Sequence, residues 1–293
     1  MINKNKSKTS ISQYIFTLVM LILSIFTLYP FIYCLAYSLS NAQMAAIHNI
    51  VFWPAGFTLD NYFYVFRMSA IYDSALISVI RTVGGVLYSI ILTGLASYAI
   101  SKKELPGKRA ITIFLIIPMY ITGGLLPTYV LIHSLHLFNN ILVYILPNGF
   151  WAFNMLLMRT YFDTLPVSLE ESARLDGAGD VRIFIQIIFP LSLPIFAVVA
   201  MFNGVWQWNA WFDAVLYVTK MQLKPLQSIL QMLISQNMAN QVAQMSGKVV
   251  KQEVSPESIR MATLILTTLP IVFIYPFFQK YFIKGVMIGA VKA

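Results

Sequence analysis

Residues 165–194 read LPVSLEESARLDGAGDVRIFIQIIFPLSLP, a charged stretch set between long apolar runs. Ser168 and Glu171 have the S-x-x-E spacing of a capping box, in which hydroxyl and carboxylate each satisfy a backbone N–H at a helix start. A first short helix then runs through Glu170, Glu171, Ala173 and Arg174, and Gly177 is free to take the positive φ that ends it. Asp180 suits the positive end of a second helix, whose apolar side is Ile183, Phe184, Ile187 and Ile188. Pro190 removes a backbone donor and predicts the stop, and Pro194 follows to bend the chain into the next apolar run. A solvated loop whose charges only keep it out of the bilayer is the plain alternative. Two capped helices with an apolar stripe exceed what such a connector needs, so the segment is read as a docking handle.

The rest of the chain is membrane by composition. Of 293 residues, 58% are hydrophobic and 11% charged, against about 25% charged in a soluble globule. Six apolar runs are long enough to cross about 30 Å of hydrocarbon, at 13–39, 73–100, 110–132, 139–162, 190–217 and 259–282. Backbone groups in lipid must be satisfied within the segment, so the runs predict helices, and the fold class is an all-α, polytopic membrane protein with six transmembrane helices. The first run exceeds a secretory core and reads as an uncleaved anchor. The net charge of +9 is scattered among loop ends, which argues against a nucleic-acid partner and leaves lipid as the surrounding medium. One cysteine, Cys34, and three histidines give neither a disulfide nor a metal site. Nor does the chain carry a phosphate-binding G-x-x-x-x-G-K-[ST] loop or an H-E-x-x-H or G-x-S-x-G motif, so neither a motor nor a membrane hydrolase is legible in it.

Lysine and arginine placement sets the orientation. Lys4, Lys6 and Lys8 precede the first run, Lys102, Lys103, Lys108 and Arg109 join the second to the third, and Lys280, Lys284 and Lys292 close the chain. Six crossings with basic ends put both termini in the cytoplasm, as an N-terminus over 1–12, a permease body over 13–289 and a tail over 290–293. The same count puts the handle, residues 165–190, inside and the segment 219–257 outside. That outer segment is polar and long for a connector, which makes it functional or disordered.

Polar groups at membrane depth are functional candidates. The stretch NGVWQWNAWFD supplies Asn203, Trp206, Asn209 and Asp213 at helical spacing on one face, with Trp208 beside them. Asn209 and Asp213 read as facing a cavity, whereas Trp206 and Trp208 fit an aromatic belt equally well. Arg81, inside the second run, either lines the pathway, snorkels to the interface or pairs with another subunit. Gly84, Gly85 and Gly94 permit close helix packing.

The handle's order of residues is similar to the EAA signature of ABC importer permeases, supplied here by Glu171, Ala173, Asp176, Gly177, Ala178, Phe184, Ile187 and Pro190. Ser172 and Gly179 depart from the usual alanine and serine, but both are small. The ending LPIVFIYPFFQKYFIKGVMIGAVKA resembles that of maltose-type carbohydrate permeases, as do Trp208-Asn209, Asn61-Tyr62 and Ser97-Tyr98-Ala99. The closing segment and outer loop look most like a branch linked with plant cell-wall oligosaccharides such as pectin fragments.

The resemblance implies a subunit that binds no cofactor itself. ATP and magnesium would lie on two ATPase subunits that receive the handle, Glu170 included, and a second homologous permease would share the pathway. An extracytoplasmic sugar-binding protein would deliver an oligosaccharide, with residues 235–252 reaching into it or contacting the partner permease. A permease for a non-sugar solute is the alternative.

Overall fold

The computed structural model describes residues 11–245 and 255–290, with side chains over 12–235 and 255–279. Lys4, Lys6 and Lys8, the tail beyond Ala290 and residues 246–254 of the outer segment lie outside the described residues. The regular structure among those described is helical, apart from one isolated bridge between Ser40 and Phe57. In order they form α1 (Ile11–Ser38), α2 (Ala42–Ile47), α3 (Asp60–Arg67), α4 (Ser69–Ser101), α5 (Lys108–Tyr120), α6 (Leu125–Ser134), α7 (Leu142–Ile145) and α8 (Ala152–Phe162). There follow α9 (Val167–Leu175), α10 (Asp180–Ile183), a π-helical turn (Phe184–Ile188), α11 (Phe189–Leu191), α12 (Leu193–Asn209), α13 (Phe212–Tyr217), a 3-10 turn (Met221–Leu223), α14 (Leu226–Met245) and α15 (Pro256–Ala290).

Among the described residues, three segments are long and apolar enough to cross a membrane: Ser12–Ser38, Ser69–Ser101 and Pro256–Gln279. Two further apolar pairs are sharply bent, Lys108–Tyr120 with Leu125–Ser134 by 113° and Asp180–Leu191 with Leu193–Asn209 by 82°. Polar side chains inside α1 bond to their own backbone: Thr17, Ser24 and Thr27 donate to the carbonyls of Gln13, Met20 and Leu23 at 2.8, 2.7 and 2.9 Å. That removes hydroxyl donors from an environment with no water to receive them.

Three of the expected runs are not continuous helices. The run 110–132 breaks after Tyr120, where Pro118 has already withdrawn a backbone donor and Gly124, at φ +82°, turns the chain in a region open to glycine. The run 139–162 yields α7 and α8 separated by Pro147, Asn148 and Gly149. The run 190–217 is divided at Ala210 and Trp211. The stop expected at Pro190 falls instead at Ser192, between the two prolines expected to bend the chain, because the π-helical turn before Pro190 tolerates its missing N–H. Ser168 does not cap α9 either: the N-cap is Pro166, whose ring presets φ at −62°, so Ser168 already lies within the first turn. The segment 219–257, expected outside and functional or disordered, is helical over Leu226–Met245.

The chain divides into two compact units, one of residues 1–67 and 233–266, the other of 68–232 and 267–293. In the first, buried Asn61 donates to the carbonyls of Ser38 and Ser40, both at 2.9 Å, and the hydroxyls of Ser38 and Tyr62 bond at 2.7 Å. These bonds fix the return of the chain after α1.

In the second unit α4 is the central helix, with α8 and α12 against it. Its C-terminal end joins a core of Tyr98, Met158, Phe162, Ile183, Ile188 and Phe196, and its N-terminal half joins one of Ile77, Ile132, Val143, Tyr144 and Tyr217. Close approach depends on small residues: a Cβ on Gly94 would stand 2.9 Å from the Phe196 ring, and one on Gly85 would run into Gln207.

Gly149, in the break before α8, leaves no room for a methyl group because a Cβ there would enter the Tyr88 ring. Gly149→Ala is expected to destabilise the purified chain by about 1–3 kcal/mol, typical of overpacking. Thermal unfolding should show a smaller loss for the same change in a Tyr88→Ala background; equal losses would count against the contact.

Candidate functional site

The handle is a rigid hairpin with an anchored side and a free side. α9 ends in a paired C-terminal motif, with Ala178 N–H donating to Ala173 O at 2.9 Å and Gly177 N–H to Arg174 O at 3.0 Å. The geometry requires the left-handed φ of +79° found at Gly177. Arg174 and Asp180 span the turn at 2.7 Å. Ala173, Ile183 and Ile188 are buried, with Ala178, Phe184 and Ile187 packed against them. On the other side Leu175 is 90% exposed and Val181 69%, flanked by exposed Glu171 and Asp176, while Pro190 is exposed further along. Apolar side chains this bare, among the charged Arg174, Asp176, Asp180 and Arg182, make this side a candidate contact surface.

Glu170 faces inward. It receives Lys102, the residue that follows α4, in an ion pair whose side chains are 16% and 22% exposed, and the Lys102 ammonium stands 3.9 Å above the centre of the Tyr98 ring. Burial first, and the Arg174 charge second, push Lys102 down from 10.5 to about 8, against Asp180 and Glu104. With the folded value below the ordinary one, this group adds stability only as pH rises from about 8 toward 10.5, and none at neutral pH. In the sequence Lys102 is one of several basic residues between two apolar runs. Its proximity to Glu170 spans 68 positions and leaves no local pattern.

The second candidate region is a cavity of about 880 Å³. Its wall includes Trp206, Asn209, Trp211, Phe212, Asp213 and Asn148. Trp206 meets Trp151 edge-on, with ring centres 5.2 Å apart. The structure thus brings Trp206, Asn209 and Asp213 together, but from two helices, α12 and α13, rather than along one face. Asn203 is buried outside this wall and donates to Val199 O at 3.1 Å. Trp208 points away from it too, donating its indole N–H to Thr267 O at 2.8 Å.

Arg81 stands behind the cavity wall, fully buried. Its guanidinium donates to Asp213 at 2.7 and 3.3 Å, to Ala210 O at 2.9 Å and to Gln207 Oε1 at 3.2 and 3.3 Å, and it lies 4.4 Å from the centre of the Tyr144 ring. The partner is therefore in this chain, and the arginine does not snorkel. The break between α12 and α13 now has a cause: Arg81 takes the carbonyl of Ala210, and Asp213 accepts the N–H of Ala214 at 2.8 Å. Among the described residues of the wall, Asp213 is the one acidic or basic side chain, and Arg81 pairs with it.

A family model, described as binding-protein-dependent transport system inner membrane component, matches residues 85–288. The chain belongs to that family: it is a permease subunit of an ABC transporter, a multi-pass component of the cell membrane, and not an enzyme. It is similar to the polygalacturonan/rhamnogalacturonan transport system permease protein YtcP of Bacillus subtilis (strain 168), 34% identical over 275 residues, 93% of this chain and 95% of that protein. Protein LplC of the same organism is 34% identical over 267 residues, 91% of this chain and 90% of its own length. Among solved structures, a chain of a bacterial ABC transporter involved in the import of the acidic polysaccharide alginate superposes with a TM-score of 0.84 at 27% identity, covering 94% of this chain and 100% of that one.

Removing one partner of a buried pair leaves a charge without compensation, so Asp213→Ala is expected to cost about 3–5 kcal/mol. The Arg81→Met, Asp213→Leu double variant should lose less than either single change in a thermal-unfolding cycle. Additive losses would mean that the pair is not coupled.

Proposed function

We propose that this chain is one of two permease subunits of an importer for uronate-containing oligosaccharides, fed by an extracytoplasmic binding protein and driven by two ATPase subunits. The observation that carries this reading is similarity along 93% of the chain to a permease named for polygalacturonan and rhamnogalacturonan transport. The likeness to an alginate transporter, whose cargo is also an acidic polysaccharide, supports the same class. A non-sugar solute would make less use of a cavity walled by Trp206, Trp211 and Phe212 with the amides of Asn148 and Asn209. Sugar rings offer C–H faces to aromatics and hydroxyls to amides.

In this reading both termini face the cytoplasm and the six apolar runs are six crossings, the third to fifth made of broken helices. The free side of the hairpin, with Glu171, Leu175, Asp176 and Val181, enters a cleft of an ATPase subunit, and α14 lies on the outer side near the binding protein. The chain holds no nucleotide: ATP and magnesium act on the partner subunits. ATP biases an inward-to-outward equilibrium only through its different affinity for the two states, about 5.5 kcal/mol for a swing from 1:99 to 99:1. A stiff hairpin is the means of transmitting that bias.

Gly177→Pro and Glu171→Lys are expected to abolish uptake of labelled oligogalacturonides in whole cells while membrane levels stay normal, and Gly177→Pro to reduce ATPase co-purification. Normal uptake in both variants would defeat the docking role. Trp206→Ala should raise the concentration of oligogalacturonide needed for half-maximal uptake about tenfold or more, the order expected when a well-packed aromatic contact is lost. An unchanged half-saturation would remove Trp206 from the pathway. Uptake of amino acids or phosphate but of no oligosaccharide would overturn the substrate class.

A further inference from the structure

α4 is the one long helix of the second unit without a proline, 33 residues from Ser69 to Ser101, whereas α15 contains Pro270 and Pro276. It is gripped about a third of the way along and just past its C-terminal end. Toward its outer end Arg81 holds Asp213 and Ala210 of the cavity wall. At its inner end Lys102 holds Glu170 of the hairpin, above a Tyr98 ring that itself contacts Phe162 and Phe184 with centres 6.4 and 5.1 Å apart. At 1.5 Å per residue the two grips are about 31 Å apart.

We propose that Lys102 is a positioning residue for energy coupling: it clamps the hairpin to α4, so that a displacement of the hairpin travels along this helix to the wall of the outer cavity. The inference rests on the hairpin being the ATPase-docking element. An exposed ion pair would be a poor foundation, since such pairs contribute little. This one is largely buried, and its lysine is kept charged against burial and Arg174 at neutral pH. A pair that adds little stability yet fixes geometry is suited to alignment. Glu104, Arg174 and Asp180 act on the same ammonium, so its setting is specific to the hairpin root. Aromatic packing of Tyr98 alone, with the ion pair incidental, is the competing account.

The test uses the assembled importer with Cys34→Ser and Phe212→Cys, so that a membrane-impermeant maleimide reports access to the cavity with and without trapped ATP. Cross-linking of the hairpin to the ATPase is measured in the same samples. Lys102→Met should keep the cross-link but shrink the nucleotide-dependent change in labelling rate about tenfold, within the range by which coupling residues act. Lys102→Arg should preserve the change, and the swap Lys102→Glu with Glu170→Lys should recover at least half of what Lys102→Glu loses. A response in Lys102→Met within about twofold of the parent, or a swap no better than Lys102→Glu, overturns the clamp while leaving docking intact. If Lys102→Met does not assemble, Lys102→Gln is judged by the same limits. A parent importer whose hairpin fails to cross-link overturns the docking reading and the clamp together, and a parent cavity indifferent to ATP overturns the clamp.

Discussion

A guanidinium with no exposure to water, inside a chain built for lipid, is the constraint on which the second unit turns. Desolvating such an ion is offset only when its donors are all received and its charge is met. Arg81 meets that condition by drawing together Asp213, Ala210 O and Gln207, with Tyr144 against its face. Freeing the Ala210 carbonyl for this purpose interrupts what would otherwise be one helix, and the interruption brings Trp206, Asn209 and Asp213 to a single cavity wall. The charge is thus a scaffold for the cavity more than a feature of its lining. With Asp213 already paired, the wall presents aromatic and amide surface to a solute, which suits recognition of sugar rings by shape and hydroxyls.

The hairpin end of the second unit is held in a different way. The hairpin is stiffened by the Gly177 turn and by the bridge from Arg174 to Asp180, and rooted by Ala173, Ile183 and Ile188. Its tip leaves Leu175 and Val181 bare. Between the two ends runs α4, straight enough in composition to relate them.

Much of this was legible in the residues alone. The membrane class, the helical fold, the two-helix hairpin and the turn at Gly177 follow from hydropathy and backbone preference, which are local. Less was legible where neighbours compete with local preference. Ser168 has the spacing of a cap, but Pro166 starts the helix first. The runs at 110–132, 139–162 and 190–217 are apolar enough for whole helices, and each is broken by glycine and proline conformations or by a distant arginine.

By itself the sequence determined which segments leave water and where a charged two-helix hairpin interrupts them, because transfer energies and turn geometry depend on composition and near neighbours. Only the tertiary structure decided that Arg81 belongs to Asp213, that Trp208 turns from the cavity toward Thr267, and that Lys102 reaches Glu170. Those pairings join residues 132, 59 and 68 positions apart. Contacts at such separations are set by how helices pack, and no local spacing encodes them.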